Sequence, residues 1–253
     1  MKLNIVLLTI ILLFMYLPLS LLAQDTIEVN VLDEFHYSYP SQIIGIAYDG
    51  EYLWMSETCS DSLIACDLST GEEVYGFPSP LDTDIYGLAY DGENFWASSS
   101  RFLYNISHED GSLITSFNVP YPTGSTDIVT DLAWHDGYLY CSVSAGFSSV
   151  IAVVDVETQM LIEALGTAGS GEPGGITYMN EYLWLSEIYS NIVLKVNPEH
   201  GQYEGQFYHY HRTNWYIGMT VIGEYMYSSD GYCNIFKYEI LDNSTIGNII
   251  RGK

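Results

Sequence analysis

"GIAYDGEYLWMSE" (Gly45–Glu57) is a phrase that this chain repeats. It returns as "GLAYDGENFWASS" (Gly87–Ser99), as "DLAWHDGYLYCSV" (Asp131–Val143), as "GITYMNEYLWLSE" (Gly175–Glu187) and as "GMTVIGEYMYSSD" (Gly218–Asp230). Successive copies start 42, 44, 44 and 43 residues apart. A near-constant period of roughly 40–45 residues made of strand-like segments is the sequence signature of a β-propeller, one blade per repeat.

Each copy has the same internal grammar. An alternating apolar strand runs into a tight turn, such as Asp49-Gly50, Asp91-Gly92 or Asp136-Gly137. Asp-Gly between alternating strands is a strong hairpin signal, because Gly accepts the positive φ such turns require. An aromatic strand follows ("YLWMS", "NFWAS", "YLYCS", "YLWLS", "YMYSS"), then a third strand after a polar loop, then an outer strand such as "EEVYGF" or "QYEGQF". Four antiparallel strands per copy make a blade. The fifth copy stops after its third strand, and Ile27–Pro40, which carries the outer-strand pattern, precedes the first copy. The expected fold is therefore all-β: a five-bladed propeller of four-stranded blades over residues 24–241, its last blade closed by the N-terminal strand so that no edge stays open.

The remaining ends are assigned by composition. Met1-Lys2, the apolar run Ile5–Leu22 with Pro18, and Ala23 before Gln24-Asp25 are expected to be a signal peptide over residues 1–23, with an uncleaved anchor as the alternative. This predicts a secreted, periplasmic or envelope protein, with no stable membrane insertion after cleavage. Residues 242–253 form a tail with no place in the repeat.

With 32 acidic against 7 basic residues and a net charge of −25, the chain repels phosphate backbones and anionic lipid. Nucleic acid is excluded as a partner, and cationic ligands are favoured. The four cysteines form no CxxC pair, which argues against a zinc ribbon. Cys66 and Cys141 stand where sister copies have apolar residues and are expected to be buried. Cys59 and Cys233 fall in corresponding loops of the first and fifth copies, where a disulfide is conceivable in an oxidising compartment.

Repetition marks scaffold. Trp54, Trp96, Tyr140, Trp184 and Tyr227 share one position and are expected to pack between blades. Ser56, Ser98, Ser142, Ser186 and Ser229 share another; without accompanying histidines or a GxSxG they are not nucleophiles. Function is then sought where the repeat breaks. Asp131 replaces the Gly of every other copy. The residue after the repeated serine is acidic in Glu57, Glu187 and Asp230 only. Together these acids could ring the channel mouth, and clustered carboxylates suit Ca²⁺, the one cation considered; no other cofactor is expected. The connection "FYHYHRTNWYIG" (Phe207–Gly218) adds His211, Arg212, Trp215 and Tyr216, able to stack on rings or cations and to grip a carboxylate, or to fold down as a lid.

The repeat unit resembles the short blades of secreted propellers, among them the glutaminyl cyclases, streptogramin lyases and gluconolactonase-like proteins. Five blades after a signal peptide are most similar to the glutaminyl cyclase family, which implies conversion of N-terminal glutamine to pyroglutamate by polar and acidic groups over the channel. The cyclase motifs are not kept. Where that family has roughly Phe-Thr-Gln/Glu-Gly-Leu, this chain has Gln42-Ile43-Ile44-Gly45-Ile46, and its Asn-Glu-Leu-Glu-Trp motif gives way to Val129-Thr130-Asp131-Leu132-Ala133-Trp134. The expectation is a secreted, non-catalytic propeller that binds a small molecule, glycan, peptide or protein on its interblade-loop face. The alternative is a divergent glutaminyl cyclase using Asp131 or Glu187 for proton transfer.

Overall fold

The alternation within each copy becomes twenty strands in five sheets of four among the described residues. The computed structural model describes residues 26–37, 42–58, 61–120, 127–145, 149–166, 171–208, 218–232 and 234–241, without the side chains of Phe35 and His36. β1 (Glu28–His36) stands alone at the start. Blade one is β2 (Ile43–Tyr48), β3 (Leu53–Glu57), β4 (Ser62–Cys66) and β5 (Glu73–Pro78). Blade two is β6 (Gly87–Tyr90), β7 (Asn94–Ser99), β8 (Phe102–Ser107) and β9 (Leu113–Asn118). Blade three is β10 (Ile128–His135), β11 (Tyr138–Ser144), β12 (Ser149–Asp155) and β13 (Met160–Gly166). Blade four is β14 (Pro173–Met179), β15 (Tyr182–Glu187), β16 (Ile192–Val196) and β17 (Tyr203–Tyr208). Blade five is β18 (Met219–Ile222), β19 (Tyr225–Ser229) and β20 (Asn234–Leu241), completed by β1.

The closure expected from the sequence is present. β1 pairs antiparallel with β20 from Glu28↔Leu241 to His36↔Asn234, with one bulge between Val31 and Asp33. The N–H of Ile27 also donates to the Gln206 carbonyl of blade four at 2.7 Å. β1 therefore supplies the outer strand of the last blade and removes the edge it would otherwise expose.

The first strands of the blades, β2, β6, β10, β14 and β18, contact one another in a ring around the axis. They come close because of glycine. A Cβ on Gly87 would lie 2.5 Å from the Asp131 Cα, and one on Gly218 would lie 2.2 Å from the Ile44 carbonyl oxygen. The core is five separate wedges between neighbouring blades. Trp54, Trp96, Tyr140, Trp184 and Tyr227 all belong to these wedges and are buried, as their shared position predicts.

The repeated serines have a more specific task than filling a crowded space. Ser56, Ser98, Ser186 and Ser229 each accept the N–H of the inner-strand glycine of their own blade, at 2.6–2.9 Å. Four of the repeated serines also donate across a seam. Ser56 reaches the Ile85 carbonyl of blade two, Ser98 the Val129 carbonyl of blade three, and Ser142 the Gly174 carbonyl of blade four. Ser229 reaches the Ile44 carbonyl at 2.9 Å, which joins blade five to blade one. Ser56, Ser98 and Ser229 thus each satisfy a buried backbone group on both sides of a seam, a duty that alanine cannot perform.

Candidate functional site

A bulge between Val129 and Asp131 turns the β10 backbone at the propeller axis and sets the one side chain that the glycine position otherwise lacks. Asp131 is wholly buried. Its Oδ2 accepts the N–H groups of Ile176 at 2.9 Å and Met219 at 3.1 Å, and its Oδ1 the N–H of Leu88 at 3.4 Å. Those donors sit on blades four, five and two, so the carboxylate of blade three ties the inner strands of three other blades together. Burial pushes its pKa well above the usual carboxylate range, against the pull of backbone N–H groups of Ile176, Leu132, Met219 and Leu88. The inner-strand edges present these N–H groups because no fifth strand pairs them.

The other three sequence-predicted acids lie at the ends of the second strands, on blades four, five and one. All are buried: Glu57, Glu187 and Asp230. Two are tied to their own loops. Asp230 Oδ1 accepts the Tyr232 and Asn234 N–H groups, and Oδ2 accepts the Asn234 amide at 2.6 Å. Glu187 accepts the Gly171 N–H at 3.3 Å and the Ser190 hydroxyl at 2.7 Å. Glu57 borders a small recess with Asp61, Ser62, Ser79, Thr83 and Asp84. These acids therefore share a face and a sector, while Asp131 lies apart from them in the interior. Among the described residues no three His, Cys, Asp or Glu side chains converge so as to hold a metal ion. His211, Arg212, Trp215 and Tyr216 fall outside the described residues, as do Cys59, Cys233, residues 1–23 and residues 242–253.

Three exposed tyrosines join this sector. Tyr189, Tyr208 and Tyr232 are 72, 60 and 47 % exposed. Tyr189 lies in the loop after β15, Tyr208 pairs with Ile192 at the end of β17, and Tyr232 lies between β19 and β20. All three therefore stand at the interblade-loop end of blades four and five. Glu172 hydrogen-bonds the Tyr189 hydroxyl and, with its charge, raises that pKa. Tyr189 and Tyr232 escape a search for repeat-breaking acids. Their signal is nonetheless present, since each follows its acid by two residues, where blades one, two and three carry Cys59, Arg101 and Ala145.

On the far side of Asp131 the inner strands enclose an axial cavity of about 160 Å³, lined by Tyr48, Tyr90, Trp134, Thr177, Tyr178 and Thr220 among others. The two described thiols offer no chemistry. Cys66 and Cys141 are buried and unpaired; burial raises both pKa values, that of Cys66 to about 11.

No protein-family model matches the sequence, and neither does any curated protein. Solved structures do match. Glutaminyl cyclase from Myxococcus xanthus is similar over 87 % of this chain and 100 % of its own, with a TM-score of 0.68 and 15 % identity. A catalytically inactive virginiamycin B lyase from Staphylococcus aureus, solved with quinupristin, is similar over 85 % of this chain and 100 % of its own, with a TM-score of 0.53 and 12 % identity. At such identities the likeness is one of fold: the chain is a β-propeller, a scaffold that serves both binding proteins and enzymes.

Proposed function

We propose that this chain is a secreted, non-catalytic binding propeller that takes a basic peptide or protein segment on the interblade-loop face of blades four and five. The observation that carries this reading is the exposure of Tyr189, Tyr208 and Tyr232 at one end of two neighbouring blades, beside Glu172, Glu187 and Asp230. Tyrosine gives contact area at low entropic cost and a π face for lysine or arginine, and the net charge of −25 draws such a partner in. In this reading His211, Arg212, Trp215 and Tyr216 also contact the ligand, and Glu57 adds negative potential from blade one. The buried acids hold the loops in place. A general acid or base must be free to reach a substrate proton, whereas Asp131 is occupied by amides of three other blades.

The test is titration of the mature chain with a fluorescent oligolysine peptide. Saturable binding that weakens with salt and falls about tenfold or more in Tyr189→Ala/Tyr232→Ala, as loss of central aromatic anchors does, supports it. Binding indifferent to the double substitution refutes the site. The likeness in fold to glutaminyl cyclase favours one second reading, a cyclase acting on N-terminal glutamine. Ammonia release from a glutaminyl peptide, lost in Glu187→Gln, would establish that reading and overturn the first.

A further inference from the structure

The seams between blades are not filled alike at the end where the first and second strands turn, the end opposite Tyr189 and Tyr232. Between blades one and two the seam is full. Trp54 has Phe95 at 4.8 Å and His108 at 5.6 Å between ring centroids, and the His108 Nε2 lies 2.9 Å from Asp49 Oδ2. In the repeat register the corresponding residues between blades three and four are Tyr140 for Trp54, Leu183 for Phe95 and Pro198 for His108. Every replacement is smaller. The space they give up is a groove of about 460 Å³, bounded by Tyr140, Tyr178, Tyr182, Glu181, Asn197 and Glu199, within the range of small-molecule sites.

The groove is furnished as well as empty. His135 stacks on Tyr178 at 3.7 Å and 10°, which fixes that ring. Lys195 lies over Tyr182 at 3.9 Å and is itself buried, so this lysine is already engaged. Asn197 is held by the Glu199 N–H and by Glu204. The carboxylates of Glu181 and Glu199 stand exposed at the rim, and the charge of Glu181, with that of Asp136, is felt at the Tyr178 hydroxyl. Glu181 is there at a conformational cost. Met179 pairs with Tyr182, which leaves Asn180-Glu181 as a two-residue turn with φ of 53° and 68°. Blade three makes the same turn with Asp136-Gly137, and at the second position glycine is the residue that fits.

We propose that this groove binds a small organic cation of the quaternary ammonium class, its methyl groups against Tyr140 and Tyr178 and its charge balanced by Glu181 and Glu199. Aromatic faces flanked by carboxylates suit a bulky, weakly hydrated cation. The site is independent of the basic-segment face, which lies at the other end of the blades.

The experiment titrates the full-length mature chain with choline chloride, observed through tyrosine ring NMR signals, with 3,3-dimethylbutan-1-ol as the uncharged isostere. Two variants report on the groove. Glu181→Gly leaves Asn-Gly in the turn, the preferred pair for this geometry, so its melting temperature is at least that of the parent while choline affinity falls roughly three- to tenfold. Tyr140→Trp places here the tryptophan that blades one, two and four carry at this position and abolishes binding. Saturable choline binding that responds to both variants and is absent for the alcohol supports the proposal. Equal binding of the alcohol, choline binding that survives both variants, or no saturable shift in the parent would overturn it.

Discussion

Asp131 and Ser229 show how much a single side chain can hold in a ring of blades. Because burial raises the folded-state pKa of Asp131 above its unfolded value, the unfolded chain gives up this proton first as pH rises. The stability Asp131 contributes is therefore complete below the unfolded pKa, about 4, and declines as pH climbs toward the folded value. Asparagine carries its donor at every pH, whereas the carboxyl loses its proton, so the unfolding free energy of the native protein less that of Asp131→Asn should fall as pH rises from 4 to 7. Denaturant melts at pH 4 and pH 7 measure it; a difference that rises with pH contradicts the assignment. Ser229→Ala removes the hydroxyl that bonds the Gly218 N–H and the Ile44 carbonyl, and should cost about 1–3 kcal/mol by thermal or chemical denaturation. The departure of Asp131 from glycine is visible in the sequence. What its carboxylate does is not, because the donors of the other three blades come from residues 43 or more positions away, brought together only by closure of the ring.

At the scale of strands and turns, the first-to-second strand hairpins of blades one, two and three were legible outright, since Asp-Gly signals the turn by itself. The aspartate in that pair has further work. Asp49 accepts the N–H groups of Glu51 and Tyr52, the Trp54 indole at 2.6 Å, and His108 of the next blade. Burial opposes its charge, but these hydrogen bonds outweigh burial and leave the pKa below the ordinary carboxylate value. The sign is opposite to that of Asp131: stability from Asp49 is present above the unfolded pKa and lost as pH falls through the folded one. Asp49→Ala should cost about 1–3 kcal/mol at neutral pH and progressively less below about pH 4, measured by the same melts. The unequal filling of the seams was also written in the sequence, as Tyr140, Leu183 and Pro198 against Trp54, Phe95 and His108. It becomes legible only once the registers are superposed on adjacent blades, because the three residues of a seam come from different strands.

Across the whole molecule, the five-bladed ring with its borrowed strand was readable from periodicity and from the missing fourth strand of the last repeat. The candidate face was readable in part. Glu57, Glu187 and Asp230 lie at the interblade-loop end, but hydrogen bonds to loop N–H groups bind two of them inward, and the exposed surface of blades four and five there falls to tyrosines. Closure also predicts cooperativity: a chain that begins after β1 leaves β20 unpaired along its outer edge, and should lose the single sharp unfolding transition of the closed ring in calorimetry. The most direct test of the central claim is amide hydrogen exchange of residues 24–253 with and without an oligolysine peptide. The account predicts added protection in the loops around Tyr189 and Tyr232 and at the end of β17, with the outer strands of blades one to three unchanged. Protection confined to other blades, or no protection at saturating peptide, would contradict it.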